Sequence, residues 1–135
     1  MSAPIIHFEI HATDRPGLAR FYEEVFGWTT MSAPGMPYTL IWPTGEDLQP
    51  GQPPSVGIGG GMLDRNGAAP KDTDGVNAFV CIVQVEDVDA TQKTVLAHGG
   101  RTALDPMDVP GVGRVYYFKD PDGNLAGALQ PENRP

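Results

Sequence analysis

A single cysteine, Cys81, stands in 135 residues. No intrachain disulfide and no cysteine-based metal cluster can therefore form. No apolar run approaches the roughly 20 residues of a membrane span. Basic residues are scarce: 9 Lys and Arg face 17 Asp and Glu, a formal net charge of −8. An acidic surface repels phosphate backbones and anionic headgroups, so neither nucleic acid nor membrane is expected as a partner. The opening residues, MSAPIIHFEI, lack a basic region followed by an apolar stretch. A secretory leader is therefore not expected, and a cytoplasmic location is.

Glycine (17) and proline (14) are plentiful, which points to many turns and short strands. The length predicts one domain, able to bury roughly two-thirds of the surface its unfolded chain exposes. Near the start, IIHFEIHATD alternates apolar and polar residues. In a strand this puts Ile6, Phe8 and Ile10 on one face and His7, Glu9 and His11 on the other. In ATDRPGLARFYEEVFGW, Asp14 is a good helix N-cap and Pro16 sits in the first turn. Leu18, Phe21, Tyr22 and Val25 follow helical spacing, and Gly27 stops the helix. Residues 28–31 and 38–42 read as strands split by the turn APGMP, residues 43–54 as a loop, and residues 55–63 as a Gly-rich strand. Residues 64–75 read as a linker.

The pattern then restarts. Residues 76–85 form a strand and Asp87 caps a helix running to His98, with Val88, Thr91 and Val95 on one face. Residues 101–109, 113–119 and 124–130 follow as strands, with DPDG at 120–123 as a turn. Asp14 to Asp87 and Gly27 to Gly100 are the same interval, 73 residues. The chain thus reads as a duplicated βαβββ unit, with module one over about residues 4–63 and module two over about residues 76–131.

On HFEIHATDRPGLARFYEEVFGW, VEDVDATQKTVLAHGG and YYFKDPDGNLAGALQP, the chain resembles the vicinal oxygen chelate superfamily. That group includes glyoxalase I, bleomycin-resistance proteins, fosfomycin-resistance enzymes and extradiol dioxygenases. The resemblance implies an α+β fold of two tandem βαβββ modules forming a curved, cup-shaped mixed sheet. It also implies a homodimer, which fits the edge strands such modules leave open. Metal-using members place one ligand on each of four strands. By that pattern the first ligand position is His7, 14 residues before Phe21. Its counterpart is Val80, and the fourth position is Gly127; neither can ligate. Residues 55–63 contain no ligating side chain in any register. One family ligand position in four survives, so no cofactor is expected, and Zn, Ni, Mn or Fe would require Glu9 or His11 to assist.

Small or apolar groups at the emptied positions suit an organic ligand, since small-molecule sites are mostly apolar with a few placed polar groups. His7 and Glu9 are the candidate catalytic pair, because an imidazole titrates near neutrality and a carboxylate beside it completes an acid/base couple. An internal ion pair is the plainer account of the same two residues. Tyr38, Trp42, Gly59, Met62, Val80, Arg114, Tyr116 and Gly127 are the candidate ligand-binding walls. Cys81 is expected on the helix side as a small core residue. Glu23, Glu24 and Asp47 are expected on a solvated surface. The GIGGG run lacks the Lys and Ser/Thr of a phosphate loop and is expected to be a flexible or closely approached strand whose backbone lies near a ligand or partner. Two functions remain: a metal-independent lyase or isomerase-type enzyme, or a protein that sequesters a small molecule. A metal-dependent glyoxalase I-type lyase or dioxygenase is the alternative.

Overall fold

The computed structural model describes residue 2, residues 5–75 and residues 79–132. It divides into two compact units, Met1–Ala69 and Pro70–Pro135. The first contains β1 (His7–Ala12), α1 (Arg15–Phe26), β2 (Thr29–Ser32), β3 (Tyr38–Trp42) and β4 (Gly59–Asp64). The second contains β5 (Ile82–Gln84), α2 (Val88–Ala97), β6 (Arg101–Val109), β7 (Gly113–Lys119) and β8 (Leu125–Pro131). The sheet orders are β1-β4-β3-β2 and β5-β8-β7-β6. In each sheet the first strand pairs parallel with the last, and the remaining pairs are antiparallel. Element for element the two units match, so the fold is α+β with tandem βαβββ modules.

Local chemistry explains the helix ends. The Asp14 carboxylate accepts from the Gly17 N–H at 3.2 Å, and Asp87 accepts from the Ala90 N–H at 3.1 Å. Each bond satisfies one of the unpaired donors at a helix start. Gly27 closes α1 with φ 72°, and its N–H donates to the Glu23 carbonyl. In the second unit the left-handed position is Gly99, φ 94°, one residue before the Gly100 that the 73-residue spacing selects. The DPDG turn is held by the buried Asp120, which accepts from the Asp122 and Asn124 backbone N–H groups, both at 2.9 Å.

Each sheet lays one face on its helix. In the first unit that face carries Ala12, Ile41 and Met62, packed with Leu18, Phe21 and Tyr22 of α1, all buried. Arg15 pins α1 to the sheet through Asp64 (2.7 Å) and Thr39 (3.1 Å). Trp28 stacks on Tyr22 at 4.8 Å, with Phe26 at 5.7 Å and Phe8 at 5.9 Å. Such ring pairs add about 0.5–1.5 kcal/mol each beyond burial. In the second unit Tyr116, Phe118, Val88 and Val95 form the core. Arg114 clamps α2 by a fork onto Asp89 (3.0 and 3.1 Å).

Two strands are shorter than expected, for one reason. Gly59 pairs with His7, where β1 begins, so residues 55–58 have no ladder partner. Ile82 pairs with Gly127, and β8 begins two residues earlier at Leu125. The parallel register therefore runs out near Val80. Of the expected strand over residues 76–85, residues 76–78 lie outside the described residues, residues 79–81 are not strand, although the Cys81 carbonyl accepts from the Gly127 N–H at 3.0 Å, and β5 is three residues long. Cys81 precedes the strand, where pleat alternation no longer decides its side. It is exposed rather than packed under α2, and partial burial of its sulfur raises the thiol pKa.

Candidate functional site

The register fixes what shares a face with His7. Partners across a ladder point the same way, and His7 lies opposite Gly59, Glu9 opposite Gly61, and Leu63 opposite Tyr38. The first unit's second face, away from α1, therefore carries His7, Glu9 and His11 from β1. It adds Gly59, Gly61 and Leu63 from β4, and Tyr38, Leu40 and Trp42 from β3. No Lys or Arg stands on these strands.

Tyr38 reaches across β4 to join the β1 pair. Its hydroxyl donates to Glu9 Oε2 at 2.8 Å and lies 2.7 Å from His7 Nε2. The two rings run nearly parallel, 16° apart with centroids 6.4 Å apart. The direct His7 to Glu9 separation is 3.9 Å, so the phenol bridges a pair that would otherwise barely touch. Partial burial, then the hydrogen bond and charge of Glu9, push the Tyr38 hydroxyl up to about 12. The phenol therefore holds its proton through the neutral range.

Gly61 makes that reach possible. A Cβ there would be driven into the Tyr38 hydroxyl and ring. Next to it, a Cβ on Gly60 would meet the Phe8 ring at 2.6 Å on the opposite face. The closely approached backbone expected in the Gly-rich run is thus approached by aromatic side chains of its own unit. Gly61 and Gly127 hold the same place in the two sheets, opposite Glu9 and Ile82 respectively. A Cβ on Gly127 would meet Ile82 Cδ1 at 2.7 Å.

The remaining sequence-selected residues separate. Gly59 lies beside His7. Trp42 shares the face but is buried, its indole N–H donating to the Gln52 carbonyl at 2.9 Å under the loop that follows β3. Met62 is fully buried on the α1 side and does not line the His7 face. Arg114 and Tyr116 face α2: the arginine pairs with Asp89 and Asp108, and the tyrosine is fully buried against Thr102. The residues of β7 that face away from α2 are Val115 and Tyr117, pairing with Leu129 and Gly127. With them stand Ile82, Leu104 and Met107, each exposed. Val80 is half-buried just ahead of β5. Glu23, expected in solvent, is half-buried and accepts a hydrogen bond from Thr30.

The residues present do not fit a divalent ion of the open-coordination type, which needs three or more N or O donors at about 2.0–2.2 Å. His7 Nε2 is committed to Tyr38, and Gly127 and Val80 offer no donor. Among the described residues no three His, Cys, Asp or Glu side chains gather. On the α1 side, a groove of about 370 Å³ is lined by Arg15, Arg20, Glu23, Thr30 and Thr39. Arg15, Glu23, Thr30 and Thr39 there are already paired with their neighbours or with Asp64.

Comparison with known proteins agrees with this architecture. FosX of Listeria monocytogenes, a genomically encoded fosfomycin resistance protein, superposes with a TM-score of 0.71 at 17% identity, covering 98% of this chain and 94% of that one. One of its crystal structures holds Mn(II) and 1S,2S-dihydroxypropylphosphonic acid. In sequence, CFP32 of Mycobacterium tuberculosis, provisionally named a glyoxylase, is 32% identical over 126 residues, 88% of this chain and 41% of that protein. DnrV of Streptomyces peucetius, an anthracycline biosynthesis protein, is 31% identical over 124 residues, 86% of this chain and 42% of that protein. The chain thus spans about two-fifths of the length of the curated relatives it matches. The model of the Glyoxalase/Bleomycin resistance protein/Dioxygenase superfamily matches residues 5–126, and the chain belongs to that superfamily.

Proposed function

We propose that the His7 face binds a small, uncharged organic molecule and transfers a proton on it without a metal, as a lyase or isomerase-type enzyme does. One observation carries this reading: the hydrogen-bonded chain His7–Tyr38–Glu9, drawn from two different strands. Acid/base catalysis requires polar groups held within hydrogen-bond reach of the proton they move. Two residues on β1 alone would also serve as an internal pair, but a phenol carried over β4 by a glycine supports a built site. With Glu9 half-exposed and no cation on β1–β4, the face disfavours anions. The ligand class therefore differs from the phosphonate held by FosX. A flat, uncharged polycycle such as the aglycone of an anthracycline, the product class named for DnrV, suits it better.

A sequestering role is favoured instead by the second unit, whose exposed face offers Ile82, Leu104 and Met107 but no acid or base among them. The edge strands of both sheets support a homodimer, measurable by sedimentation. Titration of an uncharged anthracycline aglycone while following the His7 and Tyr38 ring resonances tests the site, and unmoved resonances would refute it. Once a ligand is in hand, His7→Ala separates the roles. Retained affinity with lost turnover supports the enzyme, and lost affinity alone supports the binder. Stoichiometric Zn, Ni, Mn or Fe in the purified protein would overturn the metal-free reading.

A further inference from the structure

We infer that Tyr38 is the positioning residue of this face: it holds His7 as the tautomer with its proton on Nε2, leaving Nδ1 as the acceptor for a proton-donating ligand. The phenol has one proton and two neighbours, Glu9 Oε2 at 2.8 Å and His7 Nε2 at 2.7 Å. A carboxylate only accepts, so the phenolic proton belongs to Glu9. Were it turned to His7, the carboxylate oxygen would face phenolic lone pairs at hydrogen-bond distance, a repulsive contact between two acceptors. His7 must then be the donor, and the chain runs Nε2–H to Oη–H to Oε2.

The consequence falls on the other ring nitrogen. In the neutral imidazole a proton on Nε2 leaves a lone pair on Nδ1, and Nδ1 has no hydrogen-bond partner among the described residues. The His7 side chain is 47% exposed, so that lone pair can be reached. A ligand presenting O–H, N–H or an activated C–H fits it. When the proton moves to Nδ1, the bond to the ligand breaks and its electron pair stays on the ligand. The imidazolium so formed keeps its Nε2–H on Tyr38, with the Glu9 charge 3.9 Å away to stabilise it. Gly61 belongs to the same device, because any Cβ there displaces the phenol. A second observation separates this arrangement from inherited packing. Tyr38 is only half-buried, so its ring contributes little core area.

This inference rests on the His7 face being the working site, but its test needs no ligand. The nitrogen-15 shifts of the His7 ring in the ligand-free protein, above the pH at which the ring ionises, report the tautomer directly. The wild-type chain should show the Nε2–H form nearly alone. Tyr38→Phe keeps the ring and removes the acceptor, and a hydrogen bond of about 1 kcal/mol corresponds to a roughly five-fold fall in the tautomer ratio. Gly61→Ala, which keeps the hydroxyl but moves it, should give the same relaxation. A merely structural tyrosine would leave the ratio untouched in both. A wild-type ring protonated on Nδ1, or a ratio unchanged in both variants, overturns the inference. Failure of every ligand to move His7 would refute the proposed function while leaving the tautomer result standing.

Discussion

Gly61→Ala is the sharpest single perturbation. The added methyl carbon falls inside the Tyr38 phenol, while unbonded carbons settle about 3.5–4.0 Å apart. The ring must therefore retreat by on the order of 1 Å or more, which opens both of its hydrogen bonds. Each is worth about 1 kcal/mol net. Replacing a strand glycine by alanine returns roughly 0.5–1 kcal/mol of backbone entropy, so a net loss of about 1 kcal/mol is expected. The titration of Tyr38 should change more visibly. Its hydroxyl stands at about 12 from burial first and Glu9 second. Retreat from Glu9 and into water removes both causes and returns it toward 10. The sign for stability follows. The folded chain holds this proton more tightly than the unfolded one, so the contribution is full below pH 10 and is lost as pH rises through 12. Tyrosinate absorbance, read as the difference between each protein and its Tyr38→Phe counterpart, isolates this group from the other three tyrosines. A Gly61→Ala protein whose Tyr38 still ionises near 12, with an unchanged denaturant midpoint, would show that the phenol does not lie over that glycine.

Met62→Ala should cost about 2–5 kcal/mol by opening a cavity under α1, yet leave the His7 ring shifts in place; a protein of normal stability would refute its core assignment. Gly27→Ala introduces no clash but forces a side chain into left-handed backbone at φ 72°, for a loss of about 1–2 kcal/mol by thermal unfolding. Asp14→Ala removes a helix cap and should cost about 1 kcal/mol in the same assay. Cys81 should react with a maleimide in the native state because it is exposed, but slowly at neutral pH, since its raised pKa leaves little thiolate; complete protection would contradict its placement.

The sequence carried the helices well, because caps and stops are local chemistry. Asp14, Asp87 and Gly27 act where their residue types require, and β6 and β7 match their expected bounds, residues 101–109 and 113–119. Sidedness was harder. In β7, Val115 and Tyr117 alternate with Tyr116 and Phe118, so both faces are apolar and no period marks the inner one. Arg114 and Tyr116 were expected to line a pocket, whereas they serve the α2 interface. Met62 follows three glycines, which give no alternation to read. The partnership of Tyr38 with His7 depends on the β3–β4 register, and the loop over residues 43–58 leaves that register free in the sequence. The one legible hint was Gly61: a glycine inside a strand often marks a close approach.

The matched registers of the two sheets mean that the second unit is a blank copy of the first. Two residues beyond Gly61 stands Leu63, opposite Tyr38, and two beyond Gly127 stands Leu129, opposite Val115. Val80, Ile82 and Val115 are thus the unwritten equivalents of His7, Glu9 and Tyr38. The two units thus share a backbone register and differ in the side chains it displays. Writing the three residues into the blank half would ask whether the scaffold alone is enough to assemble them.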